Sequence, residues 1–292
     1  MKTNNKDLSV SENKGIEFRL KCENMLADVV KYYKDNKKKI PELAIIQGDF
    51  NQSYTNYLID VFSNKGIYVN LYRTGMNAEL TAQTNCKDAL NKKHIIFLDG
   101  VRHYKFMDTW EYESDINEEL GCNSLNRLYY TSSKDILLPY KTAAVFQLLN
   151  DYGISTLSKN ISIVGFGFDT LSLAIILSKE GSTVSIVHPR IGGEFNASSS
   201  DIIINNILSY GFINRSKDSS FSNVSPFTVF DTIYVKENQI LSEFDFTIRR
   251  EYEKGMIIYN FIRKLCNRAN YDSDKDLENY LKQACSGVLN IE

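Results

Sequence analysis

A Gly-x-Gly turn in the second half of the chain is the pattern most directly linked to chemistry. Gly165 and Gly167 follow an apolar run at 160–164 and precede a helical run, after which residues 183–187 are again apolar. Glycines at such a turn let the backbone approach a pyrophosphate at the N-terminus of the helix. The spacing therefore predicts a dinucleotide site that includes Gly165, Phe166 and Gly167. In the alternative interpretation, the glycines only form the strand-to-helix turn.

The end of the second strand bears on which dinucleotide would bind. His188, Pro189 and Arg190 stand there, where an acidic residue would select the ribose 2′-hydroxyl of NAD. A cation accommodates a 2′-phosphate instead, so the pattern favours NADP unless Arg190 is simply solvated. Two residues count against the site. Thr170 replaces the third glycine of a Gly-x-Gly-x-x-Gly pattern, and the carboxylate of Asp169 would repel a pyrophosphate if it pointed inward.

Composition excludes several other classes of function. The chain has 292 residues, 43% hydrophobic and 24% charged, with a formal net charge of −2, so nucleic acid is not an expected partner. No uncharged apolar run approaches the ~18 residues of a membrane span, and the polar N-terminus predicts no secretion. The five cysteines are widely spaced, which suits a reducing cytoplasm. The sequence has no Cys-x-x-Cys pair and no histidine cluster, so we expect no metal site.

The elements that must position these residues alternate between strand and helix. In the first half the pattern predicts a helix over 16–36, strands at 43–47, 66–72 and 94–98, and helices from Ser53 to Phe62 and over 79–91. In the second half it predicts a helix from Leu138 to Tyr152, strands at 201–205 and 227–231 besides the glycine-turn unit, and helices over 251–267 and 274–286. Three strand–helix alternations in the first half argue for parallel pairing and an α/β class.

Several strings, taken in chain order, resemble one family. They are Gly48-Asp49 with Ser53 and Gly66-Ile67, Asp115-Ile116 with the run 123–128, Leu138-Pro139 with Tyr152-Gly153, the ungapped run 201–213, and the stretch 231–246. Together they resemble the bifunctional methylenetetrahydrofolate dehydrogenase/methenyltetrahydrofolate cyclohydrolase family over about residues 16–270. No one string is decisive, but their collinear order is specific.

The resemblance implies an architecture of two α/β domains. The polar residues 1–14 predict a disordered tail, and the resemblance implies that residues 15–137 are a folate-binding, catalytic-type domain. Residues 138–246 would form a Rossmann-type domain with a parallel sheet for NAD(P), and residues 247–292 would be helices that return to the first domain. The resemblance also implies a small-molecule ligand of the folate type and a homodimer.

The catalytic motifs of the family are largely missing. The family has a Tyr-x-x-x-Lys pair whose lysine serves the cyclohydrolase proton transfer. Counted forward from Ser53, the pair falls on Asn56 and Asp60. Counted back from Gly66, it falls on Tyr54 and Leu58. Neither register supplies an ammonium group that could relay a proton. The family's Val-Gln-Leu-Pro strand end corresponds to residues 97–100, where Leu98 stands in place of the glutamine.

A few candidates for the substrate site remain. Asn117 stands where the resemblance implies an aspartate that grips the pterin, and an amide keeps one hydrogen bond to an aminopyrimidine. Tyr54 would border the substrate. Lys141 is the only lysine near a matched string that could enter the expected ligand cleft, and it is either catalytic or a solvated residue at a helix start.

Two functions are consistent with this pattern. The first is an NADP-linked dehydrogenase of the methylenetetrahydrofolate type that has lost the cyclohydrolase step. The second is a catalytically inactive or repurposed protein that binds a ligand or a partner on the same scaffold.

Overall fold

The computed structural model describes the chain in segments: 5–48, 54–74, 78–99, 137–165, 168–187, 200–206, 233–237, 240–244, 246–286 and 288. The chain divides into two compact units. The three-stranded unit comprises residues 20–124 and 254–288, and the five-stranded unit comprises residues 1–19, 125–253 and 289–292. Helices α1 (Asn5–Asp35) and α6 (Phe246–Tyr271) each contribute residues to both units.

The three-stranded unit is built from alternating strands and helices. In chain order these are β1 (Leu43–Gln47), α2 (Thr55–Asn64), β2 (Val69–Arg73), α3 (Ala78–Asn91) and β3 (Ile95–Asp99). The strand order is β2-β1-β3, and both pairings are parallel, as predicted. Gly66, with φ of +83°, follows α2 and lets the chain turn back toward β2.

Apolar residues on both faces of this sheet bury it between helices. On one face Ala44, Ile46, Ile96 and Leu98 pack with Cys86 and Ala89 of α3. Near α2, Phe62 meets Phe261 of α6 edge to face, with ring centroids 4.8 Å apart. The last helix, α7 (Lys275–Cys285), is capped by Asp274, whose side chain accepts a hydrogen bond from the N–H of Leu277. The predicted C-terminal helices are therefore present.

The five-stranded unit contains the glycine turn. Its elements are α4 (Tyr140–Asp151), β4 (Asn160–Val164), α5 (Phe168–Lys179), β5 (Thr183–Val187), β6 (Ile202–Asn205), β7 (Ile233–Glu237) and β8 (Ile240–Phe244). The strand order is β5-β4-β6-β7-β8, with β5, β4 and β6 parallel and with β7 and β8 antiparallel to their neighbours. The α/β class is thus confirmed.

Strands β5, β4 and β6 form the predicted parallel sheet, and the antiparallel hairpin β7–β8 extends it at one edge. Only two residues separate these strands in the chain, and a connection of that length can join antiparallel strands but not parallel ones. The predicted strand at 227–231 lies outside the described residues.

Helix α1 also differs from its predicted extent. It begins at Asn5 rather than near Ile16, so most of the predicted disordered tail is helical. Just before its predicted start the helix packs closely at Gly15, where a Cβ would lie only 3.1 Å from the Glu251 side chain of α6. Next to it, the Lys14 ammonium donates to the carbonyl oxygen of Asp151 at 2.7 Å. Such contacts stabilise helical residues whose local pattern is weak.

Candidate functional site

The carboxyl edge of the five-stranded sheet holds the predicted glycine turn. Helix α5 leads from β4 to β5 on one side, whereas β6 pairs with the other side of β4, so the strand order reverses at β4. In open α/β sheets, ligands bind beside the carboxyl ends of strands at this kind of reversal. Gly165 follows β4 and Asn206 follows β6, and the N–H of Asn206 donates to the carbonyl oxygen of Val164 at 2.8 Å. The two residues therefore flank the reversal.

The backbone at Gly165 requires a glycine. Its φ is +155°, a conformation that residues with a Cβ rarely adopt, and the residue is buried. Its own N–H donates to the carbonyl oxygen of Val187 at 3.0 Å. A phosphate at this turn would therefore meet N–H groups that come after Gly165. Phe166 and Gly167, the next predicted binding residues, lie outside the described residues.

Lys141 and Asp169 face each other at the starts of two neighbouring helices. The Lys141 ammonium of α4 lies 3.5 Å from the Asp169 carboxylate of α5, with the two side chains 24% and 35% exposed. Beside them, the hydroxyl groups of Thr142 and Ser172 are 2.9 Å apart. A half-exposed ion pair adds little stability, but it offsets the negative charge that would repel a pyrophosphate. Lys141 is thus paired with a carboxylate at the start of α5 rather than purely solvated.

Asn206 is a polar residue at this edge that the sequence pattern did not single out. Its side-chain amide donates to the hydroxyl oxygen of Thr170, on the first turn of α5, at 3.4 Å. The signal was present, since two asparagines follow a short apolar strand at the edge where ligands bind. Pattern alone does not separate such a residue from an ordinary loop asparagine.

In the three-stranded unit, Asp99 binds the start of α2. Its Oδ2 accepts a hydrogen bond from the N–H of Tyr54 at 2.8 Å and another from the hydroxyl of Thr55 at 2.7 Å. All three residues are buried. Tyr54 is the N-cap residue and makes no side-chain cap, while Ser53, predicted to cap this helix, lies outside the described residues. The carboxylate at the end of β3 therefore caps α2 across space.

No residue of α2 supplies the missing ammonium group. Leu58 is fully buried in the core, and Asn56 and Asp60 are exposed to solvent. Tyr57 donates to a carboxylate oxygen of Glu23 at 2.9 Å. A lysine does approach α2 from α6, where the Lys254 ammonium lies 5.3 Å from the centroid of the Tyr57 ring. That distance corresponds to a cation–π contact.

The remaining polar candidates that the structure describes do not form a catalytic cluster. His94, at the amino end of β3, lies 3.6 Å from Glu42, and burial nevertheless lowers its pKa, which favours the neutral imidazole. In the described segments, no group of three or more histidine, cysteine, aspartate or glutamate side chains is arranged to hold a metal ion.

None of the helices in those segments is long and apolar enough to cross a membrane. Asn117, His188, Pro189 and Arg190 lie outside them.

Comparison with known proteins gives matches in structure but not in sequence. No protein-family model matches the chain, and no curated protein is significantly similar to it. Among solved structures, the bifunctional methylenetetrahydrofolate dehydrogenase/cyclohydrolase of Campylobacter jejuni is 17% identical, with a TM-score of 0.59, over 87% of this chain and 98% of that one.

Two further neighbours differ in their cofactors. The methylenetetrahydrofolate dehydrogenase-cyclohydrolase of Trypanosoma brucei, solved with NADP and an inhibitor, is 15% identical with a TM-score of 0.60, over 85% of this chain and 94% of that one. The NAD-dependent methylenetetrahydrofolate dehydrogenase of Saccharomyces cerevisiae is 14% identical with a TM-score of 0.57, over 89% of this chain and 98% of that one. At such low identities a structural match establishes the fold. The chain therefore has the two-domain α/β fold of the methylenetetrahydrofolate dehydrogenase/cyclohydrolases, as its sequence resemblance predicted.

Proposed function

We propose that this protein is an NADP-linked oxidoreductase of the methylenetetrahydrofolate dehydrogenase type that has lost the cyclohydrolase step. One observation carries the proposal. The buried Gly165 turn, with its glycine-requiring φ of +155°, lies at the carboxyl edge where the strand order reverses. A glycine at the turn between the first strand and its helix is what lets a pyrophosphate come close to a helix N-terminus.

The residues at this edge fit a dinucleotide. The turn after Gly165 and the start of α5 would hold the pyrophosphate, and Arg190 would hold the 2′-phosphate. Lys141 offsets the charge of Asp169 beside the turn. Asn206 keeps a buried side-chain oxygen open for a hydrogen bond. When bound, the nicotinamide would accept a hydride from the one-carbon unit of the folate.

The loss of the cyclohydrolase step rests on α2. Its ten residues include no lysine, and the two positions at which the resemblance would put one are the buried Leu58 and the exposed Asp60. Neither side chain can relay a proton as a desolvated ammonium does. Hydride transfer depends mainly on holding two rings in the right orientation, so it can persist without that lysine. On the substrate side we assign the folate contacts to Tyr54 and Asn117.

Arg190 provides the sharpest test of this function. Titration calorimetry of the wild-type protein should detect NADP⁺ binding, and adding 5,10-methylenetetrahydrofolate should produce the absorbance of the reduced cofactor. Arg190→Ala should weaken NADP⁺ binding about tenfold or more, because a charge-assisted contact to the phosphate is lost. Binding of NAD⁺, which lacks that phosphate, is the internal control and should stay unchanged. A wild-type protein that binds neither dinucleotide would contradict the proposal.

A second candidate function is a ligand-binding protein without catalysis. The observation that favours it is Asp99, which follows the position of the missing glutamine and whose Oδ2 is engaged with the start of α2. A strand-end side chain tied to a helix in this way serves the fold of the unit. In the assay above, dinucleotide or folate binding without turnover would support this candidate over the dehydrogenase.

We also propose that the protein is a homodimer formed through β5. This strand is at the edge of the five-stranded sheet, and Ile186 on it is 45% exposed. Exposed edges with apolar residues are sites for pairing between chains. Light scattering should therefore report a dimer, and Ile186→Lys should shift the protein toward monomer. Leu71→Lys, on the edge strand β2 of the other sheet, is the matched control and should leave the mass unchanged. A wild-type monomer would refute the assignment.

A further inference from the structure

The side chain of Asn206 connects the end of β6 to the start of α5. Its backbone N–H is fixed to the carbonyl oxygen of Val164 at the end of β4, at 2.8 Å. Its side-chain Nδ2 donates to the hydroxyl oxygen of Thr170 at 3.4 Å. Because α5 begins just after the Gly165 turn, the amide lies beside the point where the strand order reverses.

The other end of this amide has an unused acceptor. Oδ1 of Asn206 is buried and accepts no hydrogen bond from the described part of the chain. An amide oxygen has two lone pairs, and a buried acceptor without a donor is unfavourable. The contact of Nδ2 with Thr170 orients the amide and so fixes the direction of Oδ1. A buried acceptor held in a fixed direction at a ligand-binding edge is suited to a donor on a ligand.

The strand order says which part of a dinucleotide would reach Asn206. In a sheet of this type the pyrophosphate lies at the helix after the first strand, here α5, and the adenosine ribose lies at the end of the next strand, here β5. The other nucleotide then extends over the strand on the opposite side of β4, which is β6. Asn206 directly follows β6.

We propose that Oδ1 of Asn206 accepts a hydrogen bond from the nicotinamide half of the dinucleotide and so helps to position that half. The donor is a neutral O–H or N–H group, supplied by either the ribose hydroxyls or the carboxamide. This inference rests on the proposed dinucleotide site. It adds a residue that discriminates between a whole dinucleotide and its adenosine half.

Calorimetry with two ligands tests the assignment. NADP⁺ carries both halves, whereas 2′,5′-ADP carries the adenosine half alone. Asn206→Ala should weaken NADP⁺ binding about tenfold and leave 2′,5′-ADP binding unchanged, since only the first ligand reaches Oδ1. Retained 2′,5′-ADP binding also shows that the variant is folded at the turn. Asn160→Ala, at the exposed amino end of β4, is the matched control and should affect neither ligand.

The outcomes separate this inference from the proposed function. If Asn206→Ala binds NADP⁺ as tightly as the wild type, or loses both ligands equally, the assignment is wrong while the dinucleotide site stands. If the wild type binds neither ligand, the dinucleotide function itself fails, and the assignment with it.

An analogue in which a carboxylate replaces the carboxamide, nicotinic acid adenine dinucleotide phosphate, identifies the donor. A wild-type preference for NADP⁺ over this analogue that disappears in Asn206→Ala assigns the carboxamide. A preference that persists, with both ligands weakened by Asn206→Ala, assigns a ribose hydroxyl.

Discussion

Replacing Arg249 by methionine is expected to lower the free energy of unfolding by about 3–5 kcal/mol, the typical effect of breaking a buried ion pair. Arg249 and Glu253 lie one turn apart on α6, with Nε 3.2 Å from Oε1, and each side chain is only 1% exposed. Methionine fills much of the arginine volume but leaves the Glu253 carboxylate buried without this cation. The charge left behind, rather than the lost attraction, accounts for most of the effect.

The double variant Arg249→Met/Glu253→Leu separates these two contributions. Because it removes both charges and keeps apolar volume, it should be clearly more stable than Arg249→Met alone. Guanidinium unfolding followed by circular dichroism measures the free energy of unfolding of the wild type, the single variant and the double variant. Lys92→Met breaks the exposed pair Lys92–Asp88, also one turn apart, and should leave stability unchanged. An Arg249→Met variant as stable as the wild type would show that the buried pair is unimportant.

This pair shows what a sequence pattern conveys about a helix and what it omits. A spacing of four residues places Arg249 and Glu253 on one face of α6, and the same spacing relates Lys92 to Asp88. The pattern is the same in both cases, although one pair is buried and the other is exposed. Burial depends on what packs against the helix, which a single segment of sequence does not specify.

For the strands, too, the sequence predicts what depends on neighbouring residues and misses what depends on distant ones. Strands β1 and β6 are short apolar runs closed by polar residues, and both were predictable from the sequence. The hairpin β7–β8 was missed because Asn238 and Gln239, which connect its strands, lack the glycine that usually marks a two-residue turn. At the candidate site, Gly165 could be predicted because a glycine requirement is local.

The cap formed by Asp99 is the part of the structure that no local pattern could predict. Asp99 and Tyr54 are separated by 45 positions and meet only because β3 lies beside β1 in a parallel sheet. The helix start itself carries no capping side chain at Tyr54. The sequence could suggest a cap at Ser53, the residue type favoured there, but not one contributed by another strand.

Asp99→Ala is therefore expected to destabilise the protein by about 2–4 kcal/mol, the second largest effect we predict. The substitution leaves the N–H of Tyr54 and the hydroxyl of Thr55 buried without their acceptor, and it removes a negative charge from the N-terminus of α2. Chemical denaturation of the purified protein measures the loss. Asp60→Ala, on the exposed side of the same helix, is the control and should leave stability unchanged.

Two milder substitutions show whether charge or hydrogen bonding dominates at Asp99. Asp99→Asn keeps an acceptor oxygen but not the charge, so its stability should lie between that of the wild type and that of Asp99→Ala. Thr55→Val removes one of the two hydrogen bonds and should cost about 1 kcal/mol. If Asp99→Asn is as unstable as Asp99→Ala, the charge at the helix terminus is the main contribution. If Asp99→Ala is as stable as the wild type, the carboxylate does not hold α2 in place. Its presence at the strand end would then call for a ligand rather than a structural explanation.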